Sequence, residues 1–265
     1  MATGEAPNAP ILEFDPDPNA LIEPGQVAHP IEGLVRSAVI CFFHEVVEEV
    51  CGGGRARVAA EMGWELPRHR LYELAVGARK VAVFHPGIGA PLAAALMEDA
   101  IAHGCTSFVA CGGAGALVPG LALGHVVVPD AAVRDEGTSY HYLPAAREVV
   151  ADPEAVRIAV EVLERRGVPH TIGKTWSTDA PYRETRAKIE RRRVEGCITV
   201  EMEAAAFLAV ARHRSVRFVQ YLYAGDDLSG EAWDHRSWVT ASARRALFDL
   251  AVEAALELGS APVSG

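Results

Sequence analysis

Aromatic side chains are scarce, at 7% of 265 residues, while hydrophobic residues as a whole reach 50%. The apolar content rests on Ala, Val and Gly rather than on large rings, a mix that suits a sheet packed closely against helices. Positive charge is also short: 25 Lys and Arg stand against 35 Asp and Glu, a formal net charge of −10. Such a chain does not hold a polyanion over a broad face, which argues against nucleic acid as partner. No stretch approaches the length of a membrane span, so no membrane partner is expected. The acidic, Pro-rich N-terminus has neither a basic start nor a long apolar segment, so no signal peptide is read there. The five cysteines (Cys41, Cys51, Cys105, Cys111, Cys197) form no CxxC pair. Cys41, Cys105 and Cys111 sit in or beside apolar runs and read as buried thiols, which points to a reducing, cytoplasmic setting. No internal repeat and no domain linker is visible.

The length fits one large α/β domain or two small ones. Residues 1–35 are rich in prolines and acids, with Asp15-Pro16-Asp17-Pro18 at the centre, and read as an extended arm. Residues 36–265 form the expected main domain. Apolar runs predict strands over 38–43, 71–76, 80–84, 107–111, 125–129, 198–200 and 216–224. Helices are predicted over 91–103, 153–166, 203–212 and 240–258, and an exposed basic one over 183–193. The last helix places Leu247, Leu250, Ala251, Ala254 and Leu258 on one stripe. This alternation predicts a single α/β domain: a mixed central β-sheet, partly barrel-like, flanked by helices.

In such sheets ligands sit at the carboxyl ends of strands. Four segments fall there. His85-Pro86-Gly87-Ile88-Gly89-Ala90-Pro91 precedes a helix, and Ala110-Cys111-Gly112-Gly113-Ala114-Gly115-Ala116 follows the next strand. Neither is GxGxxG, because positions 92 and 118 are Leu and Val. A dinucleotide-dependent oxidoreductase therefore lacks its fingerprint. Either loop alone is better read as a tight turn; two in succession favour a small-ligand site, with Gly87, Gly89, Gly112 and Gly113 admitting an anion close to the backbone. Val200-Glu201-Met202-Glu203 puts two acids beside an apolar helix start. They can accept from a ribose diol or cap the helix, and the residues alone leave that even. Asp226 and Asp227 follow a strand, as a general acid or as turn aspartates. His44-Glu45-Val46-Val47-Glu48 begins like a zinc-protease helix but has Glu where the second His belongs, so it reads as a solvated helix face and no metal is expected.

Taken in order, these segments, together with Arg134-Asp135-Glu136-Gly137-Thr138-Ser139-Tyr140-His141-Tyr142, resemble the nucleoside phosphorylase superfamily of uridine phosphorylases, purine nucleoside phosphorylases and methylthioadenosine nucleosidases. The similarity runs from about residue 38 to 258 and is greatest to the uridine-phosphorylase-like branch. The resemblance implies cleavage of the N-glycosidic bond of a nucleoside, without metal or organic cofactor, by a homo-oligomer (dimer or hexamer). Glu201, Met202 and Glu203 would bind the ribose, with Glu203 holding its diol. Asp226 matches the acid that protonates a purine at N7, whereas uridine phosphorylases lack an acid there. Pro181 stands where many members stack a Phe on the base, so Trp176 or Tyr182 would stack instead. The uracil-reading Gln and Arg fall on Thr185 and Ala187, with Arg186 one residue away. The phosphate arginine before the glycine loop is Ala110, the Ser or Thr after it is Gly113, and the upstream Gly-Asp and Arg loop is Phe42-Phe43-His44-Glu45. Arg68 or Arg70, in the region from which a neighbouring subunit donates an Arg, would have to compensate. The acceptor is thus phosphate, as a co-substrate, or water; phosphorolysis is placed first. A nucleoside-binding protein without turnover is the rival from another class, and retention of both Glu203 and Asp226 argues against it.

Overall fold

The computed structural model describes residues 9–63, 69–237 and 241–261. A short helix α1 (Pro24–Val27) lies in the N-terminal segment. There follow β1 (Ser37–Cys41), α2 (His44–Cys51), β2 (Arg57–Met62), β3 (His69–Val76), β4 (Arg79–Phe84), α3 (Ala90–His103), β5 (Ser107–Ala116), β6 (Val126–Asp135), β7 (Glu148–Val150), α4 (Pro153–Arg165), β8 (His170–Thr178), α5 (Arg186–Val194), β9 (Cys197–Glu201), α6 (Ala204–His213), β10 (Arg217–Asp227) and α7 (Ala241–Leu258).

The strands form one mixed sheet in the order β10-β6-β8-β9-β5-β1-β4-β3-β2, with β7 on β6. A further pairing of β10 with β5 closes β5, β9, β8, β6 and β10 into a five-stranded barrel. β5 is the hub: it runs parallel to β1 and to β10 and pairs antiparallel with β9 at its far end. Closure leaves these strands without a free edge and brings the carboxyl ends of β1, β4, β5 and β10 to one side. The core is made of the fully buried runs of β1, β4 and β5 and the apolar stripes of α3, α6 and α7. The mixed α/β sheet with its barrel agrees with the sequence-based expectation. All five cysteines are free and buried.

Three departures are instructive. The glycine-rich segment after Cys111 is not a turn: β5 runs on to Ala116, and Leu222, Tyr223 and Ala224 pair with Gly112, Gly113 and Ala114. Glycine is needed there for close approach, since a Cβ at Gly112 would come within 2.9 Å of the Phe42 ring. The segment read as a solvated helix face is α2, whose Val46, Val47, Val50 and Cys51 are buried. The basic helix α5 is mostly exposed, but Arg192 is buried and pairs with Asp135 and Glu195. Within the N-terminal segment, Glu23 pairs with Arg214 (3.0 Å), which also holds Glu98 (2.8 Å), and Ile31 N–H donates to the His103 carbonyl (3.0 Å). The described part of the arm is therefore fastened to α3 and to the end of α6.

Candidate active site

A cavity of about 440 Å³ opens at the carboxyl ends of the central strands. β1 leads into Phe42 and Phe43, α2 gives His44 and Glu45, and the β4–α3 connection gives His85 and Ile88. β5 contributes Gly112 and Gly113, the β9–α6 junction Glu201, Met202 and Glu203, β10 Gln220, and α7 Arg244. A hollow of about 500 Å³ lies elsewhere, under the N-terminal arm, lined by Asp15, Asp17, Glu23 and Glu98 among others. It is lined by the N-terminal arm, α3, the end of α6, His141 and Tyr142, whereas the segments after β1, β4, β5 and β9 converge on the smaller cavity; Asp226 lines neither.

The two acids after β9 separate by role. Glu201 accepts from Ser177 Oγ (2.6 Å) through one oxygen and from the N–H groups of Glu203 (2.7 Å) and Ala204 (2.6 Å) through the other. It caps the start of α6, and both oxygens serve the fold, although Glu201 also lines the cavity. Glu203, 5% exposed, accepts from Gly89 N–H at 2.6 Å. Burial, reinforced by the nearby Glu201, raises the Glu203 carboxyl above the usual carboxylate range, with the Gly89 bond opposing. Gly89 reaches this position with φ of +94°, which a residue with a Cβ rarely adopts.

The glycine loops also divide. Gly112 and Gly113 line the cavity. Gly87 and Gly89 do not: Gly87 N–H donates to His85 Nδ1 (3.0 Å) and Gly89 N–H to Glu203. Both amides, expected to cradle an anion, are engaged within the protein here. Since Gly87 supplies the proton, His85 Nδ1 is the acceptor, and Nε2–H donates to the Phe42 carbonyl (3.2 Å). Burial holds His85 below its usual pKa, consistent with this neutral ring. His85 thereby ties the loop after β4 to the loop after β1.

Asp226 and Asp227 end β10. Asp227 accepts from Ser229 N–H (2.7 Å) and pairs with Arg236. Burial alone would raise it, but these partners hold it below its usual range. Asp226 is half-buried and accepts from Trp233 Nε1 at 2.6 Å. Trp233 is 63% exposed and lines a recess of about 150 Å³ with Glu184, Arg186, Ile189 and Leu228. Burial, then the charge of Asp226, pushes Glu184 up to about 7.

Trp176, expected to stack on a base, is fully buried; its Nε1 donates to Asp135 (3.0 Å), and Arg192 lies 5.2 Å from its ring. A ring without accessible surface cannot receive a base, so that expectation is withdrawn. Tyr182 is 98% exposed in the segment before α5. Arg186 donates to the carbonyls of Gly230 (3.2 Å) and Glu231, pinning the segment that carries Trp233. Met202 lines the cavity. Arg70 is exposed on β3 and is not among the lining residues, and Arg68 lies outside the described residues. Within the nine-residue motif after residue 133, Arg134 donates to Ser139 Oγ (2.8 Å) and to two carbonyls, and Glu136 accepts from Ser139, so these charges shape the turn.

The sequence reading missed Gln220, Arg244 and Trp233 and set Glu45 aside. Arg244 donates to Tyr223 Oη (3.2 Å) and Glu45 (2.5 Å) and lies 5.1 Å from the Phe43 ring. It stands three residues before Leu247 on the buried stripe of α7, and a cation on an apolar stripe was a readable signal.

Among the described residues no cluster of three or more His, Cys, Asp or Glu is placed to hold a metal, and no helix is long and apolar enough to cross a membrane. A family model described as the phosphorylase superfamily matches residues 36–257, and the chain belongs to that family. Similar proteins include a uridine phosphorylase of Thermococcus kodakarensis, 38% identical over 121 residues covering 44% of each chain. A guanosine phosphorylase of Halorubrum lacusprofundi is 33% identical, covering 49% of this chain and 54% of its own. A uridine phosphorylase of Escherichia coli is 29% identical, covering 52% and 60%. These alignments thus span about half the length of the curated relatives. The fold is shared with the crystal structure of a uridine phosphorylase from Vibrio fischeri, with a TM-score of 0.67 at 21% identity over 87% of this chain and 93% of that one.

Proposed function

We propose that the chain cleaves the N-glycosidic bond of a nucleoside by phosphorolysis, releasing the base and a pentose 1-phosphate. The observation that carries this reading is the placement of one buried carboxylate, Glu203, on the wall of a cavity whose other edge is the side-chain-free Gly112–Gly113. A carboxylate accepts from two adjacent hydroxyls, and a bare glycine edge admits an oxyanion near the same centre. The named activities of the relatives support phosphate as the acceptor.

In the reaction a phosphate oxygen bonds to C1′ as the C1′–N bond breaks. The bonding pair moves onto the base, and Asp226 in its acid form supplies the proton that neutralises it. The proton of monohydrogen phosphate returns to Asp226 through solvent. Glu203 binds the ribose diol, letting go of Gly89 N–H or sharing it, and Met202 lies along the sugar. The base lies towards Asp226, with Trp233 as the stacking ring and Glu184 and Arg186 at its far edge. The acid at position 226 favours a purine.

The test is a panel of guanosine, inosine, adenosine and uridine incubated with and without phosphate, reading free base and sugar product. Phosphate-dependent release, fastest with a purine, is expected. Free pentose formed equally without phosphate would make the chain a nucleosidase, and no release from any nucleoside would leave a binding protein.

A further inference from the structure

We infer that Arg244, delivered from the first turn of α7, holds the anionic acceptor, inorganic phosphate, in the reaction proposed above; the inference rests on that phosphorolytic reading. The starting point is a small residue in a crowded place. Ala110 on β5 is fully buried and stands in register with Ile40 on β1 and Gln220 on β10. In parallel strands such partners point to the same face, so Gln220 is the polar group beside the Ala110 methyl.

Gln220 is 2% exposed, lines the cavity, and its Oε1 has no hydrogen-bond partner among the described residues. A buried amide oxygen left so is costly, and it marks a place for a ligand that brings a donor. Monohydrogen phosphate carries one hydroxyl for it, and its other oxygens need donors of their own. Arg244, 8% exposed, lines the same cavity, its guanidinium steadied by Tyr223 Oη and by the Phe43 ring. A planar guanidinium matches phosphate oxygens, and a largely dry setting strengthens the pairing.

Glu45 shows that this guanidinium binds oxyanions: its carboxylate sits 2.5 Å from Nη1. The Glu45 side chain is 47% exposed against 9% for Arg244, so the carboxylate is the partner on the solvent side and can swing outward. Phosphate, with the higher charge, takes its place. Gly112 and Gly113, without side chains, leave the path from there to C1′ open. The arrangement supplies from the end of the chain the guanidinium that position 110 lacks.

The test compares wild type, Arg244→Met, Arg244→Lys and Glu45→Gln in two measurements: initial rates against phosphate at saturating nucleoside, and the rise of Tm with phosphate alone. Arg244→Met is expected to raise the KM for phosphate about 10- to 100-fold, the range for losing a charge-assisted bond, and to abolish the phosphate-dependent Tm rise. Its KM for nucleoside should stay within about 2-fold, because the ribose contacts are untouched. Arg244→Lys should fall between, keeping the charge without the planar fork. Glu45→Gln should lower the KM for phosphate, since the competing charge is gone. If Arg244→Met fails to fold, the other two variants decide, and an unchanged phosphate KM in both overturns the inference. Wild-type dependence on phosphate with an unaltered phosphate KM in Arg244→Met overturns this assignment alone. A wild type that releases base without phosphate removes the phosphorolytic reading itself.

Discussion

At the β9–α6 junction Glu201 gives both oxygens to Ser177 and to two backbone amides, while Glu203, two residues on, faces the cavity with one bond to Gly89 N–H. At the end of β10 Asp227 is locked by Ser229 and Arg236, while Asp226, one residue earlier, holds only Trp233 Nε1 among its described hydrogen bonds. In each region one carboxylate builds the local backbone, while its neighbour makes fewer described hydrogen bonds. The anchoring acid is later in the chain at one site and earlier at the other, so order in sequence does not identify the working residue. What identifies it is how many of its lone pairs the fold already uses.

The largest expected effect is on the β10 side. Asp226→Asn removes the proton donor and should lower kcat/KM for a purine nucleoside by about 10²–10⁴-fold, the range for general acid catalysis. Asp227→Asn should cost only a few-fold in rate, seen in parallel assays of base release, because Asp227 acts through the turn it holds. The reverse order would move the acid to Asp227 and break the comparison.

Glu203→Gln comes next. Loss of the charged acceptor for the diol should lower kcat/KM about 10- to 100-fold, with Tm close to wild type. Glu201→Gln should show the opposite profile. It sets an amide against donors that now meet a carboxylate, at a cost of about 2–3 kcal/mol, which would lower Tm by roughly 5–10 °C for a chain of this size. Calorimetry beside the rate assay separates the two, and a Glu203→Gln variant that melts like Glu201→Gln would erase the distinction.

The smallest effect is a slope. Burial and Asp226 raise the Glu184 carboxyl to about 7 from an ordinary 4.5. A raised acid binds more protons folded than unfolded across that window, so its contribution to stability falls as pH rises from about 4.5 to about 7. Glu184→Gln should flatten that part of the Tm-against-pH curve, and an unchanged slope would place Glu184 in solvent.

Much of the frame was legible because it is local. The apolar runs of β1, β4 and β10 and the small-residue start of α6 identify themselves by periodicity, and the acids after β9 follow directly. Long-range closure was not legible. The β10–β5 pairing turns a glycine-rich turn into a strand, and it is visible only when Gly112, Gly113 and Ala114 are seen against Leu222, Tyr223 and Ala224. Trp176 reads as a free ring in sequence and is fully buried in the structure, because Asp135 and Arg192 come to it from other elements. Arg244 and Gln220 were hidden differently. Each is a polar residue inside an apolar pattern, on the α7 stripe and within β10, where the periodicity marks only the apolar positions. Glu45 sits in a motif that fails as a zinc site, although its helix borders the cavity.

The proposal as a whole turns on where the pentose goes. Phosphorus-31 NMR of the wild-type protein with a purine nucleoside and limiting phosphate follows this directly. The account predicts that the inorganic phosphate signal converts to a sugar phosphate ester, one for each base released, and that release stops when phosphate is exhausted. Base release continuing while the phosphate signal stays unchanged would contradict it.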